Sequence, residues 1–255
     1  MKNNYLQQLQ TYKVDNADLL KGIDDLFIEF QFERLYQSAE QDSIEDIIDW
    51  YNTEVNKCTM RVERIPVLEC VGWSFDEKSG SLVHNSGEFF RVDGIRVKNS
   101  NDREVVGGWE QPILTQIGFD GGILGLIRKR INDIPHYLVE AKAEPGNPNI
   151  VQISPTVQAT FSNIKCAHGG ARTPFVDYFL NPNKNDAKII FERWMSEDGG
   201  RLYNKRNKSM IVEVFEIESP RPTRYRWVTL NQLVMLTRLT DAIIAPHIRG
   251  ILAAV

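Results

Sequence analysis

The chain has 255 residues, of which 42% are hydrophobic and 25% are charged, and its formal net charge is −4. This composition excludes a disordered or fibrous protein, and the length allows one large domain or one domain with a smaller appendage. The longest basic cluster is Arg128 to Arg130. A nucleic acid or an acidic membrane surface is therefore not expected as the main partner, because such binding needs larger basic patches.

Cysteine usage and the amino terminus bear on the compartment. Cys58, Cys70 and Cys166 lie far apart and lack the spacing of a zinc site. We expect reduced, mostly buried thiols, as in a cytoplasmic protein. The polar amino terminus and the lack of an apolar run of 18 residues predict neither a signal peptide nor a membrane span. The sequence thus favours a soluble protein of the cytoplasm.

The sequence of residues 1 to 58 predicts helices that form an extension to the main domain. Ser43 followed by acidic residues predicts a capped helix start. We expect the extension to pack on the body or on a partner chain. The apolar stripe of the preceding helix is Leu26, Phe27, Phe30 and Leu35, and the charges expected on a solvated face are Asp24, Glu33, Glu45 and Asp49.

Residues 59 to 255 predict the main domain, in which short strand-like runs are separated by turn signals. A hairpin is expected with its turn at Asn132 and Asp133. A helix capped at Thr229 and a last short helix ending near Val255 follow the strands. Because strands dominate the middle and helices lie at both ends, the predicted fold class is α+β.

The stretch VQISPTVQATFSN, residues 151 to 163, alternates between apolar and polar residues. Such alternation predicts a half-buried strand, since successive side chains point to opposite faces of a sheet. The polar face is unusual because it carries short neutral groups and no charge: Gln152, Ser154, Thr156, Gln158, Thr160 and Ser162.

Common nucleotide-binding signatures and metal-ligand spacings are missing from the sequence. It has no GxGxxG after a strand and no GxxxxGK[ST], so its paired glycines are interpreted as turns. The histidines lack metal spacing, and each is expected to be a surface residue or a satisfied core residue. They are His84, His136, His168 and His247.

Three local groups of residues could bind a ligand or take part in catalysis. On a strand, Lys142 and Glu144 would share a face with Glu140. An amine beside a carboxylate can shift the pKa of the carboxylate and make it a catalytic base, or the two can form an ordinary ion pair. The loop SEDGGRLYNK offers Arg201 and Lys205 to an anion, or is a charged turn. The third group comprises Trp109, Gln111 and Gln116. Its flat ring and amide groups could bind a sugar or a nucleobase, or Trp109 could be a buried structural residue.

The order of several segments resembles the NDP-hexose 2,3-dehydratase family. The resemblance extends from Trp73 to the carboxyl end, and its most specific part is AKAEPGN followed by VQISPTVQAT. The other segments are WSFDEKSGSLVHNSGEFFRVDGIRV, WEQPILTQ, GILGLIRKR, HYLVEAKAEPGN, SEDGGRLYNK and RWVTLNQL. The resemblance implies a Nudix-like α+β module with a mixed or antiparallel sheet. The glutamate-rich Nudix motif is absent, so diphosphate hydrolysis is not expected.

Two departures from the family are visible. Familiar members carry two modules in tandem, whereas this chain carries one, so we expect a homodimer in which identical modules replace the pair. Met195 stands before SEDGGRLY where the family suggests glutamine. A lone module could descend from a catalytic or a non-catalytic member of the pair.

The resemblance implies dehydration of dTDP-4-dehydro-6-deoxyglucose without a redox cofactor. A divalent metal could polarise the ketone, although no ligand spacing indicates one. The expected base is Glu144, with Glu197 as its rival, and Lys142 donates to the carbonyl oxygen or tunes the base. The remaining residues bind substrate: Trp109, Gln111 and Gln116 with Asn163 line the pocket, Gln152, Thr156 and Gln158 bind sugar hydroxyls, and Arg201 and Lys205 hold the diphosphate.

Two other readings remain open from the sequence. The module could bind a nucleotide sugar without catalysing a reaction, as a partner or regulatory subunit. It could also be a lyase or isomerase acting on another keto-sugar nucleotide.

Overall fold

The computed structural model describes residues 5–38, 42–116, 121–166, 169, 171–217, 223–239 and 243–255. Three helices come first: α1 (Tyr5–Asp15), α2 (Asp25–Leu35) and α3 (Ile44–Lys57). The predicted cap at Ser43 is confirmed. Its hydroxyl accepts from the backbone N–H of Asp46, whose carboxylate accepts from the backbone N–H of Ser43.

A small antiparallel sheet follows the helices. Its strands lie in the order β1 (Trp73–Phe75), β2 (Leu82–His84), β3 (Phe90–Lys98) and β4 (Gly108–Gln116). The backbone of Leu114 in β4 donates to Arg201 O at 2.9 Å and accepts from Tyr203 N at 2.9 Å. These bonds join the small sheet to the loop that contains both residues.

The larger sheet is mixed. Its strand order is β11-β6-β5-β10-β9, and β5 and β10 run parallel while the other pairs run antiparallel. The predicted hairpin turn between β5 and β6 is confirmed, with φ of 50° at Asn132 and 66° at Asp133. The strands are β5 (Gly122–Ile131), β6 (Ile134–Ala143), β7 (Val151–Pro155), β8 (Val157–Thr160), β9 (Ala187–Ser196), β10 (Arg206–Val214) and β11 (Tyr225–Val228).

A fork opens between β5 and β6. They pair with each other only near the turn, and beyond it β6 pairs with β7 while β5 pairs with β8. The single strand predicted for residues 151 to 163 is therefore wrong in detail. It is divided at Thr156, and Thr160 ends it by capping α4 (Phe161–Ile164) through its hydroxyl.

Helices cover both faces of the larger sheet. On one face, α2, α3, α6 (Leu230–Leu239) and α7 (Pro246–Ala254) pack on a core that includes Tyr137, Val139 and Ile211. On the other face, α4 and α5 (Val176–Leu180) pack on a second cluster. Gly125 permits this approach, since a Cβ atom there would lie 2.3 Å from the Phe179 ring. The α+β fold class is confirmed, as is the cap at Thr229, whose hydroxyl accepts from Gln232 N.

The amino-terminal helices pack on the body, which was one of the two expected placements. Phe30, Ile47 and Tyr51 lie in the same apolar core as the sheet residues. Leu35, predicted to belong to the apolar stripe, is instead 67% exposed. The domain boundary at residue 58 remains a prediction.

Two expectations about burial are wrong. Glu33 does not lie on a solvated face: it is 3% exposed and accepts hydrogen bonds from Arg128 and Tyr137. The buried guanidinium supplies the opposite charge that makes its burial possible. The three cysteines are free but half-buried, not mostly buried.

Candidate functional site

A cavity of about 240 Å³ lies beside the fork, and we call it the fork cavity. Six of the predicted site residues line it, all with ionisable or amide side chains. These are Lys142, Glu144, Gln158, Asn163, Glu197 and Lys205, and the residues that join them include Phe90, Thr160, Asn207 and His247.

Glu144 is held at one side of the fork cavity. Its Oε1 accepts a hydrogen bond from Gln158 Nε2 at 2.9 Å. Lys142 Nζ lies 3.8 Å from the same oxygen and donates to the backbone O of Gln158 at 2.8 Å. The predicted pairing of an amine with a carboxylate is therefore present, and both side chains remain partly open to the cavity.

A second carboxylate–amine group comes from the β9–β10 hairpin. Glu197 Oε1 accepts from Asn207 Nδ2, and Glu197 N bonds to Lys205 O at 2.9 Å. Lys205 is 7% exposed and its ammonium donates to Gln116 Oε1. Burial lowers the pKa of Lys205, although the nearby Glu197 opposes the shift. Gln116 thus contacts Lys205 without lining the cavity itself.

His247 was not singled out by its sequence context. It lies in the first turn of α7, and its Nδ1 atom is buried without a hydrogen-bond partner in the described part of the chain. Burial lowers its pKa and Lys142 adds to the shift, while Glu144 and Glu197 oppose it. The imidazole is therefore neutral at neutral pH. No local spacing could have revealed it, since 103 residues separate it from Glu144.

The other predicted histidines lie elsewhere. His84 contacts Ser86, and His136 Nδ1 lies 2.9 Å from Ile134 O. His168 lies outside the described residues.

A second cavity, of about 370 Å³, adjoins the first and is called the arginine cavity. Lys142, Gln158 and Asn163 line both cavities. The arginine cavity adds Glu140, which was predicted to share a strand face with Lys142, and two arginines that the sequence did not identify, Arg172 and Arg224. Arg224 Nε donates to Glu140 Oε1 at 2.6 Å, and Arg172 pairs with Asp177.

Two of the residues expected to bind sugar hydroxyls line neither cavity. The Thr156 hydroxyl accepts from Ile127 N at 2.9 Å and donates to Leu138 O, and Thr156 is 1% exposed. Gln152 is 3% exposed and lies opposite Lys142 in the β6–β7 pair. Division of the strand at Thr156 places both polar groups inside the sheet, where buried polar groups need hydrogen-bond partners, and their predicted role in binding sugar hydroxyls stays a prediction.

Three further predicted residues lie away from both cavities. Trp109 Nε1 donates to Gln111 Oε1 at 2.7 Å, and Gln111 Nε2 donates to Gly200 O at 2.9 Å. These bonds connect the small sheet to the β9–β10 loop. The Arg201 side chain is 85% exposed and pairs with Asp198 at 3.4 Å. Their predicted roles in binding substrate stay predictions.

Within the described residues, no group of three or more histidine, cysteine, aspartate or glutamate side chains is placed to hold a metal ion. No helix in the described parts is long and apolar enough to cross a membrane. The ionisable groups of the fork cavity are two carboxylates, two amines and one neutral imidazole. These groups make the cavity suited to proton transfer to and from a small polar ligand.

Comparison with known proteins gives the family. The model described as NDP-hexose 2,3-dehydratase matches residues 44–255, and the chain belongs to this family. It is 38% identical over 206 residues to a Saccharopolyspora spinosa protein named dTDP-4-dehydro-6-deoxy-alpha-D-glucopyranose 2,3-dehydratase, covering 81% of this chain. Proteins of the same name from Amycolatopsis orientalis and Streptomyces violaceoruber are 37% and 36% identical over 78% and 72% of this chain.

The chain spans about two fifths of the length of these curated relatives, covering 41%, 42% and 40% of them. Among solved structures, it is similar to the M. smegmatis Nudix hydrolase RenU, with a TM-score of 0.32, 13% identity, and coverage of 63% of this chain and 97% of that one. It is also similar to the C. elegans Ap4A hydrolase, with a TM-score of 0.31, 11% identity, and coverage of 53% and 98%. TM-scores this low carry no weight for the fold or the chemistry.

Proposed function

We propose that the chain is a nucleotide-sugar 2,3-dehydratase acting on dTDP-4-dehydro-6-deoxyglucose. It removes water from carbons 2 and 3 and forms a 3,4-diketo-2,6-dideoxy sugar nucleotide. The observation that carries the proposal is the fork cavity, where Lys142, Glu144 and Glu197 lie together with neutral amide groups. The names of the curated relatives supply the substrate.

The first step requires a base for the proton on carbon 3. The ketone at carbon 4 makes that proton acidic, and its removal leaves enolate charge on the carbon 4 oxygen. Glu144 takes the proton, and Lys142, 3.8 Å from its Oε1 atom, donates to the developing oxyanion. Because one carboxylate oxygen accepts from Gln158, the carboxylate is held in a fixed orientation.

The second step requires an acid for the hydroxyl on carbon 2. Lys205 supplies it, because the lowered pKa of its buried ammonium makes proton release easier. The bond between carbon 2 and oxygen breaks, the hydroxyl takes the proton, and water leaves. The resulting enol becomes the diketone when carbon 2 takes the proton from Glu144 and the enol proton returns to Lys205.

Glu197 remains the rival base, since it lines the same cavity and lies near Lys205. Replacing Glu144 by Gln keeps the size and a hydrogen-bonding amide but removes the basic group. We expect Glu144→Gln to lower turnover about 10²- to 10⁴-fold while substrate binding is retained. The assay measures loss of substrate and formation of the diketone by mass spectrometry.

Glu197→Gln is the matched control and should keep more activity than Glu144→Gln. The reverse order would transfer the role of base to Glu197. If the wild-type protein binds the substrate but eliminates no water, the chain is a silent binding module. Conversion to an isomer would instead identify a different reaction on the keto sugar. Location in the cytoplasm and assembly as a homodimer also remain proposals.

A further inference from the structure

The two cavities differ in their balance of charge. In the fork cavity, Lys142 and Lys205 are matched by two carboxylates, Glu144 and Glu197. In the arginine cavity, Lys142 is joined by Arg172 and Arg224, and Glu140 is the one carboxylate among the described residues of its lining. Its lining therefore has two more cationic than anionic side chains, while Asp177 pairs with Arg172 and Glu144 with Lys142 from outside the lining. The two guanidinium groups, which the described residues lining the fork cavity lack, offer paired N–H donors to an anionic part of a ligand.

We infer that the arginine cavity holds the diphosphate of a nucleoside diphosphate, with Arg172 and Arg224 as its ligands. This inference rests on the proposed function, because it assigns the sugar of the same molecule to the fork cavity. The two cavities adjoin, since Lys142, Gln158 and Asn163 line both, and the inference requires one ligand to extend past these side chains from one cavity into the other. A volume of about 370 Å³ is also within the range of small-molecule sites.

Both arginines keep donors for a phosphate despite their ion pairs. Each guanidinium has five N–H donors. Arg224 uses Nε on Glu140, and Arg172 uses Nη2 on Asp177. Paired N–H groups of a guanidinium match two phosphate oxygens, and a charge-assisted bond of this kind is stronger than a neutral one.

This assignment replaces the one suggested by the loop sequence. Arg201 points to solvent with its side chain 85% exposed, and it lines neither cavity. Lys205 lines the fork cavity, where the mechanism uses it as an acid. The diphosphate contact thus moves from the β9–β10 loop to the segments before α5 and β11.

The test is binding of dTDP to the whole protein by isothermal titration calorimetry. Arg172→Gln and Arg224→Gln should each raise the Kd for dTDP about 10- to 100-fold, as expected for loss of a hydrogen bond from a charged group. Arg201→Gln is the matched control, because it removes the same charge from outside the cavities, and it should leave the Kd within about twofold. Thymidine, which lacks phosphate, should bind equally to all four proteins.

Arg224→Lys keeps the charge next to Glu140 and serves as a folding control, and it should recover part of the dTDP affinity. The inference is wrong if wild-type protein does not bind dTDP, or if Arg201→Gln alone weakens binding. It is also wrong if the cavity variants weaken thymidine and dTDP equally. If dTDP binding depends on the arginines but the protein eliminates no water, this inference is retained and the proposed dehydratase activity is rejected. If the arginine variants bind dTDP as the wild type does and still eliminate water, the dehydratase activity is retained and this inference is rejected.

Discussion

Thr156 shows how one side chain can serve the backbone at a branch in a sheet. Where β5 changes its partner from β6 to β8, Ile127 N and Leu138 O would lose their ladder partners. The Thr156 hydroxyl accepts from the first and donates to the second. It therefore completes the hydrogen bonding of the fork on which the cavity is built.

Thr156→Val should destabilise the protein because the side chain keeps its shape while two buried backbone groups lose their partner. We expect the free energy of unfolding in urea to fall by about 2–3 kcal/mol. The control is Thr237→Val on α6, where the hydroxyl donates to Val234 O within a helix, and its effect should be below about 1 kcal/mol. Equal losses from the two substitutions would contradict the role of Thr156.

His247 makes stability depend on pH. Its pKa, like that of His136, is lowered by burial from the ordinary value of 6.5. As pH falls through 6.5, the unfolded chain takes up protons that the folded chain does not. The free energy of unfolding should therefore be highest above pH 6.5 and decrease towards pH 5.5. In His247→Gln this decrease should be smaller, whereas an unchanged slope would show that His247 titrates normally in the folded protein.

From residue spacing alone, the site could be predicted only where neighbours along the chain become neighbours in space, whereas the family resemblance also led to Glu197, which lines the same cavity as Glu144. Lys142 and Glu144 are two residues apart at the end of one strand, so their proximity followed from strand geometry. Arg172, Arg224 and His247 reach the cavities from distant segments, and no local pattern marks them. The burial of Thr156 and Gln152 was not predicted, because alternation does not reveal that a strand divides and becomes buried on both faces.

At the scale of elements, helix α2 is joined to the sheet by a buried ionic cluster. Arg128 on β5 is 1% exposed, and it contacts Glu33 at 2.7 Å, Glu29 at 3.1 Å and also Glu213. Tyr137 donates to Glu33 at 2.7 Å. The helix therefore cannot leave the sheet without exposing or unpairing these charges.

Arg128→Met should destabilise the fold strongly, because it leaves buried carboxylates without their partner. We expect a loss of about 3–5 kcal/mol in the free energy of unfolding. Arg130→Met is the control on the same strand: Arg130 pairs with Glu29 but is 37% exposed, so its loss should cost about 1 kcal/mol. Similar losses for both variants, measured by urea denaturation, would show that the buried cluster does not hold the helix.

Helix caps and the tight hairpin were predictable because their signals are local. Ser43, Thr229 and the Asn132–Asp133 turn each depend on residues within about four positions. The packing of α2 was not predictable, because Glu33 looks like any surface glutamate until Arg128 is placed next to it. Long-range pairing between buried charges leaves no periodic pattern in either segment.

At the scale of the molecule, the chain spans about two fifths of its curated relatives. The homodimer proposal states that a second copy supplies the other module through an isologous interface. Sedimentation velocity of the purified chain should give the mass of two chains, about twice 29.3 kDa. A fully active monomer would contradict the proposal that activity requires two paired modules.

The central claim is that the fork cavity removes the proton from carbon 3 and expels the hydroxyl from carbon 2. The most direct measurement is incubation of the protein with dTDP-4-dehydro-6-deoxyglucose in deuterated water, followed by NMR and mass spectrometry. The account predicts formation of the 3,4-diketone with loss of water, and with deuterium at carbon 2 in the fraction of turnovers in which the proton on Glu144 exchanges with solvent before it is returned. Recovery of bound substrate with neither loss of water nor deuterium at carbon 3 would contradict it.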